Sequence, residues 1–172
     1  MAVNYSDLTP GSAVTWKNTG GTKAMLLKNL TNGSIREGDK SATLIDGTMG
    51  FPEVLEFSVE TKPVSAPTDG TELELRLGFS SSVTAGTDNP GGLTGADAAV
   101  SGVGKLQQLV YAGSVVQSNT IGTGVQRQVF RVVPQKEYVI PVIYNNMGVS
   151  TSNVDGETVV TMRPWYRRTP VA

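Results

Sequence analysis

"EVLEFSVE" at residues 53–60 and "ELELRLGF" at residues 72–79 decide the fold. In the first, Leu55, Phe57 and Val59 point one way while Glu56, Ser58 and Glu60 point the other. In the second, Leu73, Leu75 and Leu77 oppose Glu72, Glu74 and Arg76. A period of two belongs to a strand with one face against a core and one face in water. The spacing predicts two half-buried antiparallel strands, joined through "TKPVSAPTDG", whose prolines and Asp69-Gly70 suit a loop. On this reading Glu56, Glu60, Glu72 and Glu74 face one another across adjoining strands, as a solvated acidic face rather than a carboxylate pair for glycoside hydrolysis.

Working outward, "AVTWKN" at 13–18 reads as a strand, and "TKAMLLKNL" at 22–30 is too short between its glycines for a stable helix, so it reads as another. "IREGDKSATLIDGTMGF" gives two short strands about a turn. Later come "LQQLVYAGSVVQ", "VQRQVFRVVP", "EYVIPVIYNN" and "ETVVTMRPWYR", separated by turn-like runs. Pro141 lacks a backbone donor, which places its strand at an edge or at a bulge. Tyr138, Ile140, Val142 and Tyr144 share one face of that strand, with Val139 and Ile143 on the other; this implies a covered strand or a partner surface. The expectation is an all-β, two-sheet antiparallel sandwich of about eight strands, jelly-roll-like given the chain's 172 residues. Residues 1–12 read as an N-terminal arm, 13–166 as one domain and 167–172 as a short tail.

Residues 80–104 break the pattern. "SSSVTAGTDNPGGLTGADAAVSG" is polar and rich in glycine, with at most a single helical turn around Ala96 to Val100. A structureless loop this long is either mobile or ordered by a neighbour. In the second case Asp88, Asn89, Pro90, Leu93 and Asp97 are its partner-binding residues. "TDNPGGLTGAD" lacks the spacing of a calcium loop, and no cofactor is expected.

The chain contains neither cysteine nor histidine, and charged residues make up 17% of it. Thiolate chemistry, disulfides and the imidazole relay are therefore excluded. An enzyme would have to work through carboxylates alone, and the expectation is that the chain is not one. Formal charge is −1, which gives no footprint for nucleic acid, and no apolar run is long enough to cross a membrane as a helix. The charge is uneven: residues 127–172 carry six basic and three acidic side chains. In "MRPWYRRTPVA", Trp165 or Tyr166 could anchor a partner while Arg163, Arg167 and Arg168 take its carboxylates.

The run from Phe79 to Tyr111, "SVTAGTDNPGGLTGADAA" followed by "LQQLVYAGSVV", resembles small virion-associated proteins of tailed bacteriophages. "WKNTGGTKAMLLKNLTNGSIREGDKSATLIDG" fits the same pattern, so that the resemblance covers residues 16–117; the ending "RPWYRRTPVA" is more basic and aromatic than that pattern. The resemblance implies a β-sandwich building block on the outer surface of the capsid, a decoration or cement protein. Its partner would be the major capsid protein or another virion protein, and it would itself be a homo-oligomer, a trimer most simply. The alternative is a tail, collar or fibre module that binds a host glycan, for which Trp16, Tyr111, Tyr138, Tyr144 and Trp165 are the candidate platforms.

Overall fold

The computed structural model describes residues 7–167. Strands form at Leu8–Pro10 (β1), Val14–Lys17 (β2), Lys23–Ala24 (β3), Ile35–Glu37 (β4), Val54–Thr61 (β5) and Glu72–Ser80 (β6). Ala98–Ala99 (β7), Val110–Val116 (β8), Gln126–Val132 (β9), Tyr138–Asn146 (β10) and Val159–Arg167 (β11) complete the set. They build two facing sheets: β3-β2-β11-β5-β9, with β1 also on β11, and β7-β4-β10-β6-β8. All pairings are antiparallel except β2 with β3. The fold is thus an all-β sandwich of a six-stranded and a five-stranded sheet, with eleven strands among the described residues rather than about eight.

The strands that were not expected are β1 and β7, and β3 is a short remnant of an expected one. β1 lies in the stretch read as an arm and pairs Leu8 with Arg167. Of "TKAMLLKNL" only β3 is a strand; beyond it Met25, Leu27 and Leu30 are buried from irregular backbone. β7 occupies the place expected for a helical turn.

The alternation in β5 and β6 is real, but the two strands do not pair. Leu55, Phe57 and Val59 face Leu73, Leu75 and Leu77 across the interior, all six fully buried. The ten-residue link between them holds Pro63 and Pro67, and it arches from one sheet to the other instead of closing a hairpin. Glu56 and Glu60 are therefore on a different sheet from Glu72 and Glu74. Trp16, Val139, Ile143, Val160 and Met162 fill the rest of the same core.

β10 lies between β4 and β6, so Pro141 is in a central strand and not at an edge. Its register with β6 is unbroken, with Pro141 opposite Leu77. On its other side the ladder with β4 ends at Glu37, and the Gly38 N–H donates to the Pro141 carbonyl at 2.9 Å. The missing donor therefore falls at the end of that ladder, one residue past Glu37, and the single reciprocal bond opposite Gly38 is all that the central proline forgoes.

The two-sided apolarity of β10 has a direct cause. Val139 and Ile143 enter the core between the sheets, whereas Ile140 and Val142 enter a second cluster on the outer surface of the five-stranded sheet. Leu93, Val100, Leu106 and Leu109 complete that cluster. All four belong to the connection between β6 and β8, residues 81–109, which is a strap over the sheet. It includes short 3₁₀ turns at Pro90–Gly92 and Val103–Gln108, so the "LQQ" expected to begin β8 is helical instead.

At one margin of the sandwich, edge strands β8 and β9 of the two sheets approach each other at Gly113. Its φ is +151°, and a Cβ there would run into the Phe130 ring. A register shift between Leu75 and Arg76 bends β8 at this point. Replacing Gly113 with valine is expected to lower the unfolding free energy by about 1–3 kcal/mol, seen as a lower urea midpoint at unchanged slope. An unchanged midpoint would mean that the two edges are not in contact.

Candidate functional site

The strap is held by charged side chains from one short stretch, "IREGDK" at residues 35–40. Glu37 is 1% exposed, and its carboxylate accepts from the Thr94 N–H (2.9 and 3.0 Å), the Thr94 hydroxyl (2.9 Å) and the Gly95 N–H (3.2 Å). Gly95 has φ +71°, and a Cβ there would overlap the Ala85 carbonyl, so only glycine turns its N–H toward Glu37 at this point. Asp39 accepts from the Asp97 N–H (2.9 Å) and the Ala24 N–H (3.1 Å). Arg36 pairs with Asp97 at 2.5 Å, and the same Asp97 oxygen accepts from the Leu26 N–H. Each buried charge thus meets donors or an opposite charge, as it must in a low-dielectric setting.

Lys40 completes the set. Its ammonium, on a residue 5% exposed, donates to Ser80 Oγ (2.9 Å) and to the carbonyls of Ser82 (2.8 Å), Thr84 (2.7 Å) and Thr87 (3.1 Å). The Tyr138 ring lies 6.0 Å away. Burial lowers the Lys40 pKa from its ordinary value, while the charge of Asp88 acts in the opposite direction. Asp88, at φ +54°, accepts from the Ser81 N–H (2.7 Å) and pairs with Lys136 (2.9 Å). Both contacts, the Ser81 N–H first, hold its pKa below the ordinary value.

The strap residues expected to bind a partner are therefore engaged within the chain. Leu93 is buried in the second cluster, and Pro90 lies against Gly78 together with it. Asn89 donates from its side-chain amide to the Leu93 and Ala85 carbonyls. Asp88 and Asp97 have the contacts given above. Arg36, Glu37, Asp39 and Lys40 are the residues that sequence reasoning missed. Four charges in five positions, in a chain where only 17% of residues are charged, was the available signal.

On β11 the outward and inward residues separate cleanly. Arg163, Trp165 and Arg167 lie on the open surface of the six-stranded sheet. Tyr166 points inward, and its hydroxyl donates to the Leu44 carbonyl at 3.0 Å. Burial, then the charge of Asp46, raises its pKa. Arg168 lies outside the described residues. Arg167 approaches Glu53 at 3.4 Å, and among the described residues the shielded Trp165 indole N–H has no hydrogen-bond partner.

The other aromatic candidates do not converge. Trp16 is fully buried, with its indole N–H on the Asp39 carbonyl at 2.7 Å. Tyr138 sits beside Lys40. Tyr144 is half-buried against the second cluster, and the exposed Tyr111 lies over Arg76 with 5.2 Å from guanidinium to ring centre. An open groove of about 510 Å³ lies between Pro10–Val14 and the 42–49 loop, lined by Met49, Met162 and Tyr166, with Asp46 as its one carboxylate. Asp46 accepts from the Thr48 and Met49 N–H groups, both at 2.8 Å. Among the described residues no group of three acidic side chains is placed to hold a metal ion.

No family model matches the sequence, and comparison with curated proteins finds no match.

Two outcomes are expected from these contacts. Lys40→Met removes the ammonium from four oxygens, so limited proteolysis should open the chain within residues 81–89 while the far-UV spectrum stays that of a β protein. Resistance equal to wild type would contradict the hub. Asp88 contributes stability that is full above 3.8, its ordinary pKa, and is lost as pH falls through its lower folded value. Urea midpoints measured from about pH 6 down to about pH 2 should therefore fall less steeply in Asp88→Asn than in wild type.

Proposed function

We propose that the chain is a structural protein of a tailed-bacteriophage virion, carried on the outer surface of the capsid as a decoration or cement protein. The observation that carries the reading is the pairing of its eight main strands. In chain order, the first pairs with the eighth (β2 and β11), the second with the seventh (β4 and β10), the third with the sixth (β5 and β9) and the fourth with the fifth (β6 and β8). This is one long antiparallel ribbon folded over into two sheets, the jelly-roll order, and jelly rolls are common in viral shells and in lectins.

Fold alone does not fix function. Further support comes from the disposition of the side chains. The charged residues of the strap are used to fasten the chain to itself, and one broad sheet face is left open. That is the design of a rigid building block, held by contact. Several copies around a symmetry axis, most simply a trimer, would bridge neighbouring shell subunits and stabilise the assembled state by mass action. The lectin-like reading, a tail or fibre module for a host glycan, has less to stand on, because the five candidate aromatics do not converge on one open surface.

The test is direct. Virions purified on a density gradient should contain the chain in fixed ratio to the major shell protein, with its density on the outside of the capsid by electron microscopy. Particles free of the chain, or density confined to the tail, would overturn the reading.

A further inference from the structure

The two outer faces of the sandwich differ. The five-stranded sheet is covered by its own strap, but nothing among the described residues covers the six-stranded sheet. Three cross-strand rows of side chains make up its middle, and the row of Val54 and Trp165 lies next to them. Arg127, Glu60 and Val159 form one; Val129, Ser58, Thr161 and Thr15 the next; Arg131, Glu56 and Arg163 the third. The middle row is short, so a depression of about 200 Å³ opens there, lined by Glu56, Ser58, Arg127, Val129, Thr161 and Arg163.

The charges around that depression are unequal in availability. Glu56 is held by Arg131, whose Nε and Nη2 reach one carboxylate oxygen at 3.0 and 2.8 Å. Arg127 donates from Nε to Ser58 Oγ at 2.8 Å and stands 3.4 Å from Glu60. Among the described residues Arg163 forms no ion pair. Two guanidinium groups therefore flank a small seat that also offers the hydroxyls of Ser58 and Thr161. Two residues along β11 from Arg163, Trp165 adds an apolar ring to the same face, and Val129 in the middle row is 43% exposed.

We propose that this face docks onto an acidic protein surface, with one Asp or Glu carboxylate of the partner seated between Arg127 and Arg163 and apolar contact made by Trp165. Charge complementarity selects the occupant. Guanidinium pairs with carboxylate through two parallel hydrogen bonds, and Trp and Arg are the residues that most often carry an interface. Four arginines against three glutamates on the face leave too little excess charge for a polyanion, and Glu56 at the rim opposes a phosphate dianion. The proposal rests on the structural-protein reading but names a site that can be tested apart from it.

A short glutamate-containing peptide, heparin and duplex DNA serve as probes of the full chain by ¹⁵N NMR. The peptide should shift the Arg127 and Arg163 Nε–H and the Trp165 indole N–H, and the double variant Arg127→Glu/Arg163→Glu should abolish those shifts, while Arg163→Lys keeps part of them. The second arm adds wild type and the double variant to virions stripped of the chain, where the variant should bind about tenfold or more weakly. Both side chains are exposed, and an unchanged melting curve confirms that the variant is folded. Peptide shifts that are absent or lie elsewhere, stronger binding of heparin or DNA at these residues, loss of self-association as the variant's only defect, or rebinding equal to wild type would each overturn the proposal. If the chain is missing from virions yet the peptide still shifts these residues, the virion reading fails and the docking face stands.

Discussion

A buried carboxylate that forms no ion pair must find N–H donors, and for Glu37 the glycine-rich strap supplies them. Glu37 takes Thr94 and Gly95, Asp39 takes Asp97, and Asp97 in turn meets Arg36. Lys40 does the reverse, offering an ammonium to oxygens at the start of the strap. Breaking one partner of such a buried set costs about 3–5 kcal/mol, because the remaining charge is left without compensation. The strap is therefore ordered from within the chain, and the second apolar cluster of Leu93, Val100, Leu106 and Leu109 forms under it.

That single device shapes both sides of the molecule. It closes the outer surface of the five-stranded sheet, where Ile140 and Val142 would otherwise be exposed. Among the described residues the other sheet has no such cover, and its rows of arginine, glutamate, serine and threonine are left at the surface. A sandwich sealed on one side and open on the other has a direction, which suits a block that attaches by one face to something larger.

How much of this was legible depended on whether a residue's role showed in local spacing. Leu55, Phe57 and Val59 declare a strand because burial and pleat share a period of two. The double-faced apolarity of β10 likewise announced that something covers it. What spacing could not reveal was the partner. β5 and β6 read equally well as neighbours or as opposed strands, since alternation is the same in either case, and only the ten-residue link with two prolines favours the crossing. Pro141 misled because its tolerance depends on where β4 stops. The strap's apolar anchors have no period at all, being fixed to irregular backbone, and "IREGDK" looks like an ordinary solvated turn until its targets far along the chain are known. For the candidate docking face, Arg163, Trp165 and Arg167 were visible as a basic aromatic ending; Arg127, Ser58 and Thr161 were not, because they join it only through sheet register.

Amide hydrogen exchange on the isolated chain tests the central claim, that the strap is fastened by its own protein. The account predicts that Gly95 and Asp97 exchange slowly, close to the rates of the core strands, with no partner present. Exchange at the rate of an unstructured peptide would contradict it.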